Sequence, residues 1–214
     1  MHVNTVRVRW WSLVAIVAAS AVVVAAQSAR ENAADASRLI EVLGVREGSV
    51  VGEIGAGSGE LTVAMGRAVG PSGHVYSNDL NPDRRAEIRT AAEGAGLANV
   101  TIVEGRSAET NLSEACCDAI FMRNVYHHFA DPASMDRSLF RSLKPGGRLA
   151  VIDFVPKKDT DNPAERAGND THGVTPAHVQ QELREAGFEI VSSGTLRGEA
   201  FLVVARRPGQ GIKP

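Results

Sequence analysis

The sequence predicts an α/β domain built on a mainly parallel sheet, and three observations carry that prediction. Residues 50–60 read VVGEIGAGSGE, an apolar strand running straight into a G-x-G-x-G turn, with a helix-like segment at 61–69 behind it. Strand-like and helix-like segments then alternate to residue 154, the pattern of parallel strands joined by right-handed crossovers. The phrase LKPGGRL at 143–149 supplies a helix end, a tight turn and the start of another strand. At 214 residues, 43% hydrophobic and 22% charged, the chain suits one domain with a sizeable core.

The first strand ends in a site for a nucleotide-containing ligand. Glycines let the backbone approach the ligand, and the helix that follows offers N–H donors. A dinucleotide fingerprint would need its third glycine at position 60, where this chain has Glu60. His74–Asp79 is a second strand that ends in an acid, placed to accept hydrogen bonds from two ribose hydroxyls. Asn81, Pro82 and Asp83 form an N-cap, a first-turn proline and a first-turn acid, opening a helix that reaches Gly94 or Gly96. Val100–Glu104 is a third strand and 117–122 a fourth; Asp131 and Pro132 open the next helix, and 149–154 is a fifth strand. Residues 156–173 are a polar connector without periodicity. Thr175 and Pro176 cap a helix ending at Ala186 or Gly187, and 188–193 with 200–205 read as a closing hairpin.

Three alternating glycines behind Glu53, an acid at Asp79 and the LKPGGRL phrase together resemble the class I S-adenosylmethionine-dependent methyltransferases, over roughly residues 38–206. The resemblance implies a Rossmann-like, doubly wound fold: a seven-stranded, mostly parallel sheet with the last strand antiparallel. It implies S-adenosylmethionine as cofactor, with Glu53, Gly55, Ala56, Gly57 and Gly59 cradling the methionine end. Asp79 would hold the ribose and Leu80 cover one adenine face. Where such enzymes often place an acid after the third strand, this chain has Arg106; Glu109, or the backbone of Ser107 and Ala108, would then serve the adenine amino group.

Residues 123–129, RNVYHHF, follow the fourth strand at the edge that faces the ligand crevice in open α/β sheets. Similar small-molecule methyltransferases carry a Y-H-x-F or H-H-F phrase there. Tyr126, His127 and His128 are therefore the candidate catalytic residues, with the tyrosine and a histidine orienting the acceptor and one histidine taking its proton. The opposing expectation packs one histidine under the next helix and leaves the other in solvent. His172, in the connector, is a second candidate for covering the acceptor. The histidines lack metal-ligand spacing such as H-E-x-x-H, so no metal is expected.

Composition narrows the partners. A net charge of −2 provides no general basic field, which disfavours nucleic acid as substrate. No N-P-P-Y or D-P-P-Y phrase ends the fourth strand, and no lysine lies four residues after Tyr126, where a short-chain reductase would carry one. The expected function is methyl transfer to a small-molecule or lipid-like acceptor. The alternatives are a non-catalytic cofactor-binding module and a nicotinamide-dependent oxidoreductase. Cys116 and Cys117 are adjacent at a strand start, where neighbours point to opposite faces, so no structural disulfide is expected between them.

The amino terminus reads differently from the rest. Arg7 and Arg9 precede an apolar run at 10–26 that ends Val-Ala-Ala, a pattern of export or membrane anchoring. The expected organisation is 1–26 as signal peptide or membrane anchor, 27–48 as a helical segment over the cofactor edge, 49–206 as the catalytic domain and 207–214 as a tail. Positive-inside reasoning sends the domain outward, away from the cytosol where the cofactor is made.

Overall fold

The chain forms seven strands, most of them apolar runs: β1 (Val50–Ile54), β2 (His74–Asp79), β3 (Val100–Glu104), β4 (Cys117–Arg123), β5 (Leu143–Phe154), β6 (Glu189–Arg197), which is largely polar and exposed, and β7 (Ala200–Arg206). The helices are α1 (Trp10–Leu43), α2 (Glu60–Val69), α3 (Pro82–Gly94), α4 (Pro132–Ser142), α5 (Pro163–Ala167) and α6 (Pro176–Glu185), with a 3-10 turn at Tyr126–His128. This computed structural model describes residues 10–157, 162–168 and 173–209, and side chains from residue 26 onward. His172, Arg7 and Arg9 lie outside the described residues.

The strands form one sheet in the order β3-β2-β1-β4-β5-β7-β6. Neighbours from β3 through β5 are parallel, and β7 runs antiparallel to both β5 and β6. The sheet is therefore seven-stranded with its last strand alone reversed, as the resemblance implied. The chain order reverses between β1 and β4, so their carboxyl ends flank the crevice where such sheets bind ligands.

The chain divides into two compact units, residues 1–35 and 36–214. In the first, the described backbone from residue 10 is helical. Among the described residues, no helix is long and apolar enough to cross a membrane. The second unit holds the sheet. On one face Ala36, Leu39 and Leu43 join Leu61, Met65 and Val69 of α2 over Val51, Phe121 and Ala150. On the other, Met135 and Leu139 of α4 and Val179 and Leu183 of α6 cover Ile120, Met122 and Val151. Each fully buried leucine or isoleucine contributes about 1.5–3 kcal/mol relative to exposure.

Local signals set the helix starts. The side chains of Asn81, Asp131 and Thr175 accept from the backbone N–H of Asp83, Ser134 and His178, each with proline in the first turn. The connector contains a helix that the sequence expectation left out: α5, capped by Asn162. Five residues are too few for a periodic pattern. The strand expected at 149–154 begins instead at Leu143. Leu143 pairs with Cys117, the Pro145-Gly146-Gly147 turn bulges out with Gly146 at φ 83°, and pairing resumes at Arg148 opposite Ala119.

The two cysteines lie side by side, although strand alternation was expected to point them to opposite faces. Strand β4 starts only at Cys117, and Ala115 turns the chain at φ 47° just ahead of it. Cys116 thus sits in the turn, where the strand alternation does not apply, and its Sγ lies 2.7 Å from that of Cys117. Both are free thiols.

Candidate active site

Parallel pairing of β1 with β2 brings Ile54 opposite Asn78, so the Gly55–Gly59 loop lies over the end of β2. Asn78 fastens it there. Its Oδ1 accepts from the Gly55 N–H at 3.1 Å, its carbonyl accepts from the Ala56 N–H at 2.9 Å, and its Nδ2 donates to the Thr110 carbonyl at 2.9 Å. Asp79 continues the contact: Oδ2 accepts from the Gly57 N–H at 3.0 Å and Oδ1 from the Asn81 N–H at 2.9 Å. Each carboxylate oxygen keeps a second lone pair for another donor.

The three loop glycines all have positive φ but do different jobs. A Cβ on Gly55 would lie 2.5 Å from Val125 Cγ2, and one on Gly59 would lie 3.1 Å from Ile88 Cα. Those two glycines admit close packing. A Cβ on Gly57 (φ 58°) would meet no atom within 4 Å. The backbone at Gly57 therefore faces open space beside Asp79. Leu80, next in the chain, is 62% exposed, an apolar surface beside a carboxylate with acceptor capacity to spare. Gly105 completes the edge, since a Cβ there would fall 2.8 Å from the Asp79 carbonyl carbon. The arrangement suits a ligand with a ribose and a flat base, as the glycine motif and the resemblance imply.

Glu53 lies beneath the loop, 3% exposed. Its Oε2 accepts from Thr62 Oγ1 of α2 at 2.5 Å and from Ser77 Oγ of β2 at 3.4 Å. Burial pushes its carboxyl up to about 7, against the pull of those two hydroxyls and the Arg123 charge. Glu109 stands apart from the loop. Its carboxylate pairs with Arg106 and lines a surface depression with Ser134, Arg137 and Arg141 of the α4 flank.

The 3-10 turn separates the three candidate catalytic residues. His127 is 2% exposed. Its Nδ1 lies 2.7 Å from Asp153 Oδ1, and its backbone N–H donates to Asp153 Oδ2 at 3.2 Å. Asp153, near the end of β5, is fully buried and also accepts from the Phe154 N–H at 2.8 Å. With Asp153 as a carboxylate, which can only accept, the pairing puts the proton on Nδ1 and leaves Nε2 as the acceptor nitrogen. His128 is exposed and packs on His127 with ring centroids 4.1 Å apart.

Tyr126 turns the other way. It is fully buried, and its hydroxyl donates to Asp136 Oδ2 of α4 at 2.7 Å. Beside it, Arg166 Nη2 of α5 bridges both carboxylate oxygens of Glu182 in α6, at 3.0 and 3.2 Å. Burial pushes the Asp136 carboxyl up to about 8, with the Tyr126 hydrogen bond pulling the other way. This buried group ties α4, α5 and α6 to the turn. Asp153 and Asn78 went unnoticed in the sequence. Neither stands in a motif, and each matters through a partner 26 or 23 residues away.

The loop and the turn touch. Val125, against which Gly55 packs, lies immediately before Tyr126–His128. Two depressions of about 520 and 510 Å³, around Gly66–His74 with Gly96–Asn99 and around Gly44–Ser49 with Lys144–Arg148, lie toward the amino ends of the strands, away from this site.

Comparison with known proteins agrees with this geometry. Residues 52–151 match the family described as methyltransferase domain. The chain is similar to the ubiquinone/menaquinone biosynthesis C-methyltransferase UbiE of Vibrio vulnificus, 34% identical over 116 residues, which are 54% of this chain and 45% of that protein. UbiE of Proteus mirabilis is also 34% identical over 116 residues, or 46% of its length. The chain thus spans about half the length of the curated relatives it matches. Among solved structures, a SAM dependent methyltransferase from Aquifex aeolicus superposes with a TM-score of 0.68 at 25% identity, over 81% of this chain and 89% of that one.

Proposed function

We propose that the chain is a class I S-adenosylmethionine-dependent methyltransferase, a reading its methyltransferase-domain match and its relatives support, and that it transfers a methyl group to a small, lipid-like acceptor. One observation carries the proposal: the Gly55–Gly59 loop packs against Val125, two residues before an Asp153-held histidine. In this reading the donor cradle and the candidate base face one crevice. S-adenosylmethionine, when bound, supplies a methyl group on a sulfonium, an activated leaving group that needs little chemical help. The protein's task is alignment, which in favourable cases is worth about 7–11 kcal/mol.

In this reading the space over Gly57 admits the methionine end, Asp79 accepts from the ribose hydroxyls, and Leu80 covers the adenine. Glu53 holds α2 against β1 and β2 beneath the loop. His127, its Nδ1 proton fixed on Asp153, accepts a proton from the acceptor at Nε2 as the new bond to the methyl carbon forms. His128 forms the outer wall. Tyr126 positions the turn from below through Asp136. The matched relatives are named for C-methylation in ubiquinone and menaquinone biosynthesis, so a quinone-related acceptor methylated at carbon is the class we favour. We also propose that residues 10–26 target the chain to a membrane, where a lipid-like acceptor would reside.

Calorimetry with S-adenosylmethionine tests the cofactor half, with Gly57→Val as the control. Transfer of labelled methyl to quinone precursors tests the acceptor half. Micromolar binding that the valine removes supports the site, and no binding by folded protein refutes it. Binding without transfer to any phenolic or quinone acceptor would favour a non-catalytic module.

A further inference from the structure

At the amino end of β4, away from the crevice, lies a pair of sulfur atoms that the proposed reaction does not use. Cys117 is fully buried and Cys116 partly exposed. Their Sγ atoms are 2.7 Å apart, well inside nonbonded sulfur contact. Two local features bring them together: the left-handed turn at Ala115, held by its N–H to the Arg141 carbonyl at 2.8 Å, and the register shift after Cys117. Nearby, Lys144 Nζ pairs with Asp118 Oδ1 at 2.7 Å.

We propose that Cys116 and Cys117 form a redox-active vicinal dithiol, which a hydroperoxide converts reversibly to an intrachain disulfide. The inference rests on the sulfur geometry and is independent of the proposed methyl transfer.

The two thiols have unequal environments. The hydrogen bond from Cys117 holds the Cys116 thiol below its ordinary range, with Lys144 adding to the effect and burial opposing it. The Cys117 thiol is pushed up by that same hydrogen bond and by burial. Cys116 is therefore the more accessible thiol and the nucleophile, and Cys117 the resolving thiol. The Cys116 sulfur attacks the peroxide O–O bond, forming a sulfenic acid and releasing water or the alcohol. Cys117 sulfur then displaces the hydroxyl, which leaves as water with the thiol proton. The dithiol gives up two electrons and the peroxide accepts them.

Adjacent Cα atoms are about 3.8 Å apart, short of the ~4.4–6.8 Å usual across a disulfide. The ring is accordingly strained and readily reopened by thiols, which marks a labile site and not a structural bridge.

The test uses the full chain treated with hydrogen peroxide, alkylated with iodoacetamide and mapped by peptide mass. The expected product is one peptide lighter by two hydrogens, with neither thiol alkylated and both recovered after dithiothreitol. Cys117→Ala should leave Cys116 as a sulfenic acid that dimedone traps. Cys116→Ala should leave Cys117 unoxidised. The wild-type mapping decides even where a variant fails to fold. Two alkylatable thiols after peroxide, or Cys116 driven to sulfinic acid with Cys117 still alkylatable, would overturn the proposal. S-adenosylmethionine binding measured on both redox forms separates the two ideas. Absence of binding in both counts against the methyltransferase reading alone.

Discussion

His127 Nδ1, in the turn after β4, lies 2.7 Å from Asp153 Oδ1 near the end of the neighbouring β5, with both side chains buried. The same carboxylate accepts from the His127 and Phe154 backbone N–H groups, so it fixes the turn as well as the imidazole. A buried carboxylate with three donors holds the ring in one tautomer, and that is the condition for Nε2 to act as a base.

Asp153→Asn should therefore lower turnover by about 100-fold or more, the usual scale of general-base loss, while S-adenosylmethionine affinity stays unchanged. His127→Ala should match it, and the double variant should be no worse than His127→Ala, because the two residues act as one unit. Single-turnover rates with saturating cofactor provide the readout. Additive losses would mean that Asp153 acts on something other than the histidine.

The glycine loop separates packing from binding. Gly57→Val should abolish cofactor binding with a modest loss of stability, on the order of 1–2 kcal/mol for a left-handed residue with a side chain, since nothing crowds the position. Gly55→Ala carries that strain plus overlap with Val125 at 2.5 Å, which adds roughly 1–3 kcal/mol. Val125→Ala in the Gly55→Ala background should recover part of it. Urea melts paired with calorimetry distinguish the two positions.

Glu53 makes stability depend on pH. Its carboxyl is raised from 4.5 to about 7 in the folded state, so the folded chain binds this proton more tightly than the unfolded one. Stability contributed by the neutral form is complete below about pH 4.5, falls as pH rises and levels off above about pH 7. Glu53→Gln keeps an acceptor for Thr62 and removes this dependence. Between pH 4.5 and 8, stability should shift in the variant's favour relative to wild type, by up to roughly 3 kcal/mol. A gap that is flat with pH would show that Glu53 titrates normally.

Tyr126→Phe tests a residue that the sequence placed among the catalytic candidates and the fold buries against Asp136. Removing the hydroxyl should cost about 1–3 kcal/mol of stability, the usual penalty for a buried acceptor left unpaired. Turnover at saturating acceptor should be unchanged in the folded variant. A tenfold fall in kcat would give the tyrosine a direct role in the acceptor site.

Local features were legible in the sequence for local reasons. A cap is a bond between residues two or three apart, so Asn81, Asp131 and Thr175 could be read directly. The G-x-G-x-G turn demands positive φ at 55, 57 and 59, which glycine alone supplies without strain. The premise of the cysteine reading, that strand alternation separates the two side chains, does not hold, because Cys116 lies one position outside the strand. The Pro163–Ala167 helix escaped notice because its anchor, Arg166, is paired with Glu182 sixteen residues away.

Chain order, hydrophobic periodicity and turn residues by themselves determined the α/β class, the strand succession and the place of the glycine loop and Asp79, since each of these is written within one segment. Only the tertiary structure decided which side chains meet. It set Asp153 on His127, Asn78 beneath Gly55 and Tyr126 on Asp136, and it left Glu109 with Arg106. The reason is physical: a strand end delivers its side chain to the neighbouring strand's end, and which strand is the neighbour is settled by packing across the whole sheet.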